Sequence, residues 1–433
     1  MKLPVNKKWV LAFAIMLAAC KTSFHSEQKS TTQSIPFHPL RNDADLDVLI
    51  NQIGNARVVL LGESTHGTHE FYQWRAEITR RLIEEKGFNF IAVEGDWVDS
   101  YRVNDLIKGP ARDSAATIEL LKQYDRWPSS MWGNYEMAEL VQWLNQHNQA
   151  RQRVEKIGFY GLDLYSFWEW TKQPMNILDS NVQRSIDKVR KAFSPYNDDA
   201  LKYASAVRNT GVNFSAATEE LWNNVQHYLI HQPENESEFL LQQQALLALN
   251  GERYFRTMVT DKVNSWNIRD GHMAETIRRL LKIYGNKSKA IIWVHNGHAG
   301  DAHYSQMAVA GYTSVAGILR QQLGRDKIFS IGFGTDRGEI TAGKKWNAPL
   351  EKLKIQPAMK GSWENILHDL NGTDKIVLSN EISNDPKLNQ WLAFRSIGAS
   401  YSDNAVYGSA IVPQRFDAFV FIDSTTATHP IPH

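Results

Sequence analysis

Three short apolar runs, at 58–61, 91–93 and 290–294, each open directly onto a turn crowded with ionisable side chains: GESTHGTHE, EGDW and HNGH. That repetition constrains the fold more than any other feature. A β-branched apolar run bounded by glycine reads as a buried strand, and strands alternating with helical stretches form the parallel α/β arrangement. In open α/β sheets, ligands gather beyond the carboxyl ends of the strands. Glu63 and His66, Glu94 and Asp96, and His295 with His298 therefore stand on one rim if their strands are parallel neighbours. Gly62 and Gly67 leave room for close approach to the backbone of that first turn.

The remaining chain supplies the covering layers. A helix is predicted at 46–53. Another is predicted at 71–86, with Trp74, Ile78, Leu82 and Ile83 on one face and Gly87 as its stop. A strand at 90–93, a helix through Leu106 and a helix at 135–147 follow. Next comes a strand at 156–161 that also runs into an acid, Asp163. From 167 to 260 the apolar residues recur at three- and four-residue spacing, over 177–193, 215–231 and 238–263, with almost no strand signal. This predicts a helical insertion. Helices at 267–284 and 313–323 and strands at 329–334, 375–378 and 418–422 complete the expectation. The fold class is α/β, a mostly parallel central sheet flanked by helices with a helical insertion, spanning 38–425 and followed by a tail at 426–433.

The first 37 residues read differently. A basic start at Lys2, Lys7 and Lys8 precedes an apolar run too short for a permanent span, the form of a secretory signal. LAAC at 17–20 resembles the processing box of a bacterial lipoprotein. The resemblance implies a signal peptide at 1–19, lipid attachment at Cys20 and a flexible, polar tether to residue 37. It also implies export and anchoring to the bilayer of the cell envelope, with the outer membrane favoured in a Gram-negative cell. Cys20 is the only cysteine, so intrachain disulfides and thiolate metal sites are excluded. The chain carries 48 basic and 47 acidic residues, and loss of the leader tips it to a slight acidic excess. With no basic block, nucleic acid is not an expected partner.

Two imidazoles and two carboxylates in one cleft can activate water by general-base catalysis, since imidazole titrates near neutral pH and a carboxylate fixes its tautomer. The same set, Glu63, His66, Glu94, His295 and His298, could instead hold a divalent metal. The sequence has no HExxH helix, no GxGxxG fingerprint and no phosphate loop. The absence of a GxSxG elbow makes Ser64 a poor nucleophile, so water is the simpler attacking group. Arg75 and Arg269, the latter beside Asp270, are the candidates for stabilising developing negative charge or a substrate carbonyl.

Read in order, LLGESTHGTHEF with Arg75, FIAVEGDW, NIRDGHMAE, WVHNGH and RFDAFVFID resemble the successive motifs of the erythromycin esterase family. The resemblance covers 38–425. It implies hydrolysis of a macrolide lactone, with His66 as the general base, Glu63 and Glu94 as the acids around it, and Arg75 as the cleft arginine. His295 and His298 match the second histidine group. Thr276 departs from the asparagine expected in the fourth motif. The expected protein is a lipid-anchored esterase acting on a small-molecule ester, with no required cofactor and an open oligomeric state. Two alternatives remain. One is a metal-dependent hydrolase of another ester or amide; the other is a surface binding lipoprotein that has lost the chemistry.

Overall fold

The computed structural model describes residues 35–152, 155–169, 179–196, 199–229, 233, 235–402 and 406–432. The predicted signal peptide, Cys20 and most of the predicted tether lie outside the described residues. The chain is already packed at residue 35: Ile35 is buried and Phe37 lies against the core.

Eleven strands are described: β1 His38–Pro39, β2 Val58–Leu61, β3 Phe90–Asp96, β4 Gly158–Asp163, β5 Ala290–Trp293, β6 Ile328–Gly343, β7 Leu350–Ile355, β8 Lys375–Leu378, β9 Leu392–Arg395, β10 Tyr407–Ala410 and β11 Ala418–Thr425. Nine form one sheet, in the order β1-β8-β11-β6-β2-β5-β3-β4 with β7 branching off β6. The run from β11 to β4 is parallel throughout, while β8 and β1 add antiparallel strands at one edge. In the centre, β2 and β3 both pair with β5. The three strands whose sequences end in ionisable turns are therefore adjacent and point the same way.

Alternation along these strands divides the core in two. Val58, Leu60, Ala92, Ala290 and Ile292 face one layer, and Val59, Leu61, Val93, Ile291 and Trp293 face the other. Helices His69–Lys86 and Tyr135–Gln149 give apolar residues to the second layer. Helix Lys262–Ile283 and the helices between β4 and β5 pack on the first. Both faces of the central strands are consequently covered, which is why they read as continuous apolar runs.

Several boundaries differ from the sequence expectation. The predicted strand at 329–334 continues to Gly343 and turns back as β7; Thr335 to Glu339 interrupt the apolar run, and beyond them Ile340 and Ala342 are buried with Ile355 of β7 in a small separate cluster. The stretch at 238–263 is two helices, Glu236–Met258 and Lys262–Ile283. Asp261 caps the second through the backbone of Asn264, so that helix starts five residues before the predicted 267. Strand β4 begins at Gly158 rather than 156, and β3 extends to Asp96 across a register shift after Val93. Helix Ala200–Thr210 falls within the predicted helical insertion, whereas helices Ser114–Leu121 and Trp363–Asn371 and the hairpin β9–β10 had no counterpart in the expectation.

Candidate active site

The turn after β2 is held from three sides. Gly62 donates its N–H to Ile331 on β6 at 2.8 Å, and a Cβ there would collide with the Asn296 side chain. Gly67 lies so close to the Thr341 backbone of β6 that any side chain would strike it, while its carbonyl accepts from Thr341 at 2.9 Å and Thr428 at 3.0 Å. Ser64 donates nothing to the cleft: it is fully buried, and its carbonyl accepts from the Ile397 N–H at 2.7 Å. The rigid turn thus presents the Glu63 and His66 side chains and little else.

His66 Nδ1 is 2.8 Å from Glu63 Oε1, and Arg75 Nη2 donates to Glu63 Oε2 at 2.6 Å. Glu63 and Arg75 are 0% exposed, whereas the His66 side chain is 13% exposed. The ordering is strict: guanidinium beneath carboxylate beneath imidazole, with only the last reaching solvent. Arg75 stands over the rings of Tyr72 and Trp293, at 4.7 and 4.4 Å from their centroids. The sequence reading allowed it to reach the cleft and meet a carbonyl oxygen, but full burial places it behind Glu63. With Nδ1–H donated to the carboxylate, His66 carries its lone pair on Nε2, and among the described residues no protein group is hydrogen-bonded to that atom.

His295 is 5.1 Å away, ring centroid to ring centroid, and is built the opposite way. Its Nδ1 accepts from the Gly297 N–H at 3.1 Å and its Nε2 donates to the Ile397 carbonyl at 3.1 Å, so both nitrogens are engaged. Burial, aided by the neighbouring His66, pushes its pKa down to about 4. Its backbone N–H donates to Glu94 Oε2 at 2.7 Å.

Beneath it lies a buried charge cluster. Arg269 grips Asp163 with two bonds, at 2.7 and 2.6 Å, and donates to Glu94 Oε1 at 2.9 Å. His298 stacks on Trp266 at 4.5 Å, with Nδ1 2.8 Å from Asp270 and Nε2 3.3 Å from Glu94 and 3.0 Å from Arg269. Burial opposes a charge on His298, but the carboxylates of Asp270 and Glu94 outweigh it and raise the pKa to about 9. Glu94 responds in the other direction. Burial would raise its pKa, yet His298 and Arg269 hold it well below the usual carboxylate range. Asp96 turns aside from this group: it pairs with Arg126, which also binds Glu169 at 2.6 Å, and accepts from the Ser166 N–H at 2.9 Å.

The sequence-derived residues therefore converge, with three refinements. Glu63, His66, Glu94, His295 and His298 share one region, Arg75 and Arg269 support it from below, and Asp96 belongs to a neighbouring ion pair. Asp163 and Trp266 were missed as site residues, although Asp163 ends a strand in an acid just as Glu94 does. The Ile397 carbonyl carries no side-chain signal at all.

Among the described residues, no three of the five proposed metal ligands bring their donor atoms within 4.8 Å of one another. His295 has no nitrogen to spare, and both oxygens of Glu94 are occupied. Among the described residues, the histidines and acids whose donor atoms do converge, within 4.8 Å, are His69, Glu136 and His429. A divalent metal thus finds its geometric support outside the predicted ligands.

The family model described as erythromycin esterase matches residues 83–425, beginning after the Glu63–His66 turn. The chain is 22% identical to erythromycin esterase type II of Escherichia coli, across 92% of this chain and 97% of that protein. It is also 22% identical to the putative hydrolase YbfO of Bacillus subtilis strain 168, across 66% of this chain and 67% of that protein. A crystal structure of a succinoglycan biosynthesis protein superposes with a TM-score of 0.71 at 19% identity, covering 91% of this chain and 95% of that one. A histidine-to-asparagine mutant of the erythromycin esterase EreC, in its open conformation, superposes with a TM-score of 0.65 at 15% identity, covering 92% and 100% of the two chains.

Proposed function

This chain belongs to the erythromycin esterase family, and from that premise we propose that it hydrolyses a carboxylic ester, a macrolide lactone in the most specific reading, with water activated by His66. The observation that carries the proposal is the Arg75–Glu63–His66 stack, which ends in an uncommitted Nε2 at the cleft.

In this mechanism Nε2 takes a proton from water as its oxygen attacks the ester carbonyl, giving a tetrahedral intermediate. The imidazolium then returns that proton to the departing alkoxide, releasing the alcohol and a carboxylic acid, which ionises to carboxylate by losing the remaining water proton to solvent. Glu63 stabilises the imidazolium through Nδ1–H and keeps the tautomer that leaves the lone pair on Nε2; Arg75 holds the Glu63 carboxylate in place through its 2.6 Å hydrogen bond. Glu63 and Arg75 are positioning residues in this scheme. Glu94, Arg269 and Asp163 hold the cleft floor, with Glu94 orienting the His295 backbone. His295 presents a neutral ring beside the base, where it raises no competing charge.

From their places near the predicted rim, Arg269, His298 and Asp96 are the candidates for binding substrate. Their burial and existing partners favour shaping the floor and wall of the site instead. We extend the proposal to location: the LAAC box supports lipidation at Cys20 and envelope anchoring of the catalytic domain.

Mass spectrometry of a macrolide panel incubated with the purified protein tests the substrate. The expected product is the lactone plus one water, absent with His66→Asn protein. A panel returned unchanged by active-site-intact protein would remove macrolides and leave the base assignment to be tested on simpler esters.

A further inference from the structure

A second cluster of histidine and carboxylate lies just beyond the catalytic turn. His69 is the first residue of helix His69–Lys86, Glu136 is the second residue of helix Tyr135–Gln149, and His429 lies in the segment after β11. The Nδ1 atoms of both histidines lie 2.7 Å from the same oxygen, Glu136 Oε1, and their rings stand nearly perpendicular, at 85° with centroids 5.2 Å apart. The three donors thus come from three separate parts of the chain and point at one spot. The Glu136 side chain is 6% exposed, His69 33% and His429 64%, so the cluster has a buried base and an open top.

We propose that His69, Glu136 and His429 form a binding site for a divalent transition-metal ion, with Zn²⁺ as the ion that fits best, and that the bound ion clasps the C-terminal segment onto the catalytic turn. Two imidazole nitrogens and one carboxylate oxygen are an established donor set for tetrahedral zinc, and solvent supplies the fourth ligand through the open side. Zinc–ligand bonds of about 2.0–2.1 Å place tetrahedral donors roughly 3.3 Å apart. The donors must therefore open by about half an ångström from their present contacts, a movement available to the two partly exposed rings. Each imidazole then offers Nδ1 to the metal and carries its proton on Nε2. Two helix N-termini face the ion, which disfavours a cation. Glu136 opposes that directly, and Glu70 and Glu139 add negative charge near His69.

The backbone shows what the clasp would hold. Thr426 accepts from the His69 N–H at 2.9 Å and His429 from the Tyr135 N–H at 3.0 Å, so the segment runs between the two helix starts. Between them, Thr428 donates to the carbonyl of Gly67, the residue after His66. Metal at this site ties the tail to both helices and, through Thr428, steadies the turn that carries the base. It supplies no group to the ester reaction.

The test uses untagged full-length protein stripped with chelator, titrated with Co²⁺ followed by visible absorption and then displaced with Zn²⁺. One Co²⁺ per chain and a higher thermal midpoint with Zn²⁺ are expected. The surface variant His429→Ala, and independently His69→Gln, should lose both the absorption and the thermal shift while remaining folded. Absence of uptake by the wild type overturns the proposal. So does uptake that persists in both variants or that disappears only in His66→Asn, which would place the metal in the cleft.

Discussion

His66 and His295 stand 5.1 Å apart at the ends of adjacent parallel strands, yet the protein has made them into different chemical objects. His66 has one nitrogen tied to a carboxylate and the other open to the cleft; His295 has one nitrogen tied to a backbone N–H and the other to a backbone carbonyl. A carboxylate partner stabilises the imidazolium that a general base must become. Two backbone partners fix a neutral ring and leave it no lone pair to use. The residue type and its place at a strand end nominate both histidines, but only the partners distinguish a base from a scaffold.

The strongest way to break this contrast is to replace His66 with Asn, which keeps some hydrogen bonding and removes the base. On a verified ester substrate, kcat/KM should fall by about 10²–10⁴-fold, the usual contribution of a general base, with little change in thermal midpoint because the ring reaches solvent. Folded variant protein retaining more than about half the wild-type value would end the assignment. The same measurement on His295→Gln should show a smaller loss, since that ring has no open nitrogen.

Glu63→Gln sharpens the contrast from beneath. The amide has one acceptor, and Arg75 competes for it with His66. If Arg75 takes it, the amide NH₂ faces Nδ1, the tautomer flips and Nε2 becomes a donor. A loss on the order of 10²-fold is expected. Unlike His66→Asn, this change should also lower the thermal midpoint, because Arg75 is left as a buried cation without its counter-charge. An unchanged midpoint would show that Arg75 does not depend on Glu63 for its place.

These differences explain how far the sequence could be read. The central strands were legible because burial on both faces requires continuous apolar runs, and their polar ends marked the rim. The site residues at those ends, Glu63, His66, Glu94, His295 and His298, could be named from the same pattern. What remained hidden depended on partners distant in the chain: Asp163 meets Arg269 across 106 positions, and the Ile397 carbonyl that engages His295 Nε2 belongs to a residue with no polar side chain. The outer half of β6 was missed because Thr335 to Glu339 break the apolar run before buried Ile340 and Ala342 resume it. The segment at 426–433 was read as a tail, yet Thr426 to Pro430 bridge two helix starts.

The smallest effect, and the one that tests the electrostatics most directly, is the pH dependence of stability at the two histidines on the β5 end. His298 has its pKa raised to about 9, against the effect of burial, by Asp270 and Glu94. Relative to an unfolded histidine near 6.5, the folded state holds this proton more tightly, so its stabilisation is complete below about pH 6.5 and is lost as pH rises toward 9. His295 runs the other way. Burial lowers its pKa to about 4, so between about pH 4 and 6.5 the unfolded chain binds a proton that the folded protein refuses, and stability falls as pH falls through that window. Denaturant unfolding of wild type, His298→Asn and His295→Gln across this range should resolve the two. The stability difference between wild type and His298→Asn should shrink on going from neutral pH to 9, whereas the difference between wild type and His295→Gln should shrink on going from neutral pH to 4. Parallel curves for the two variants would mean that the histidines share one environment, and the division of labour between the β2 and β5 ends would have to be redrawn.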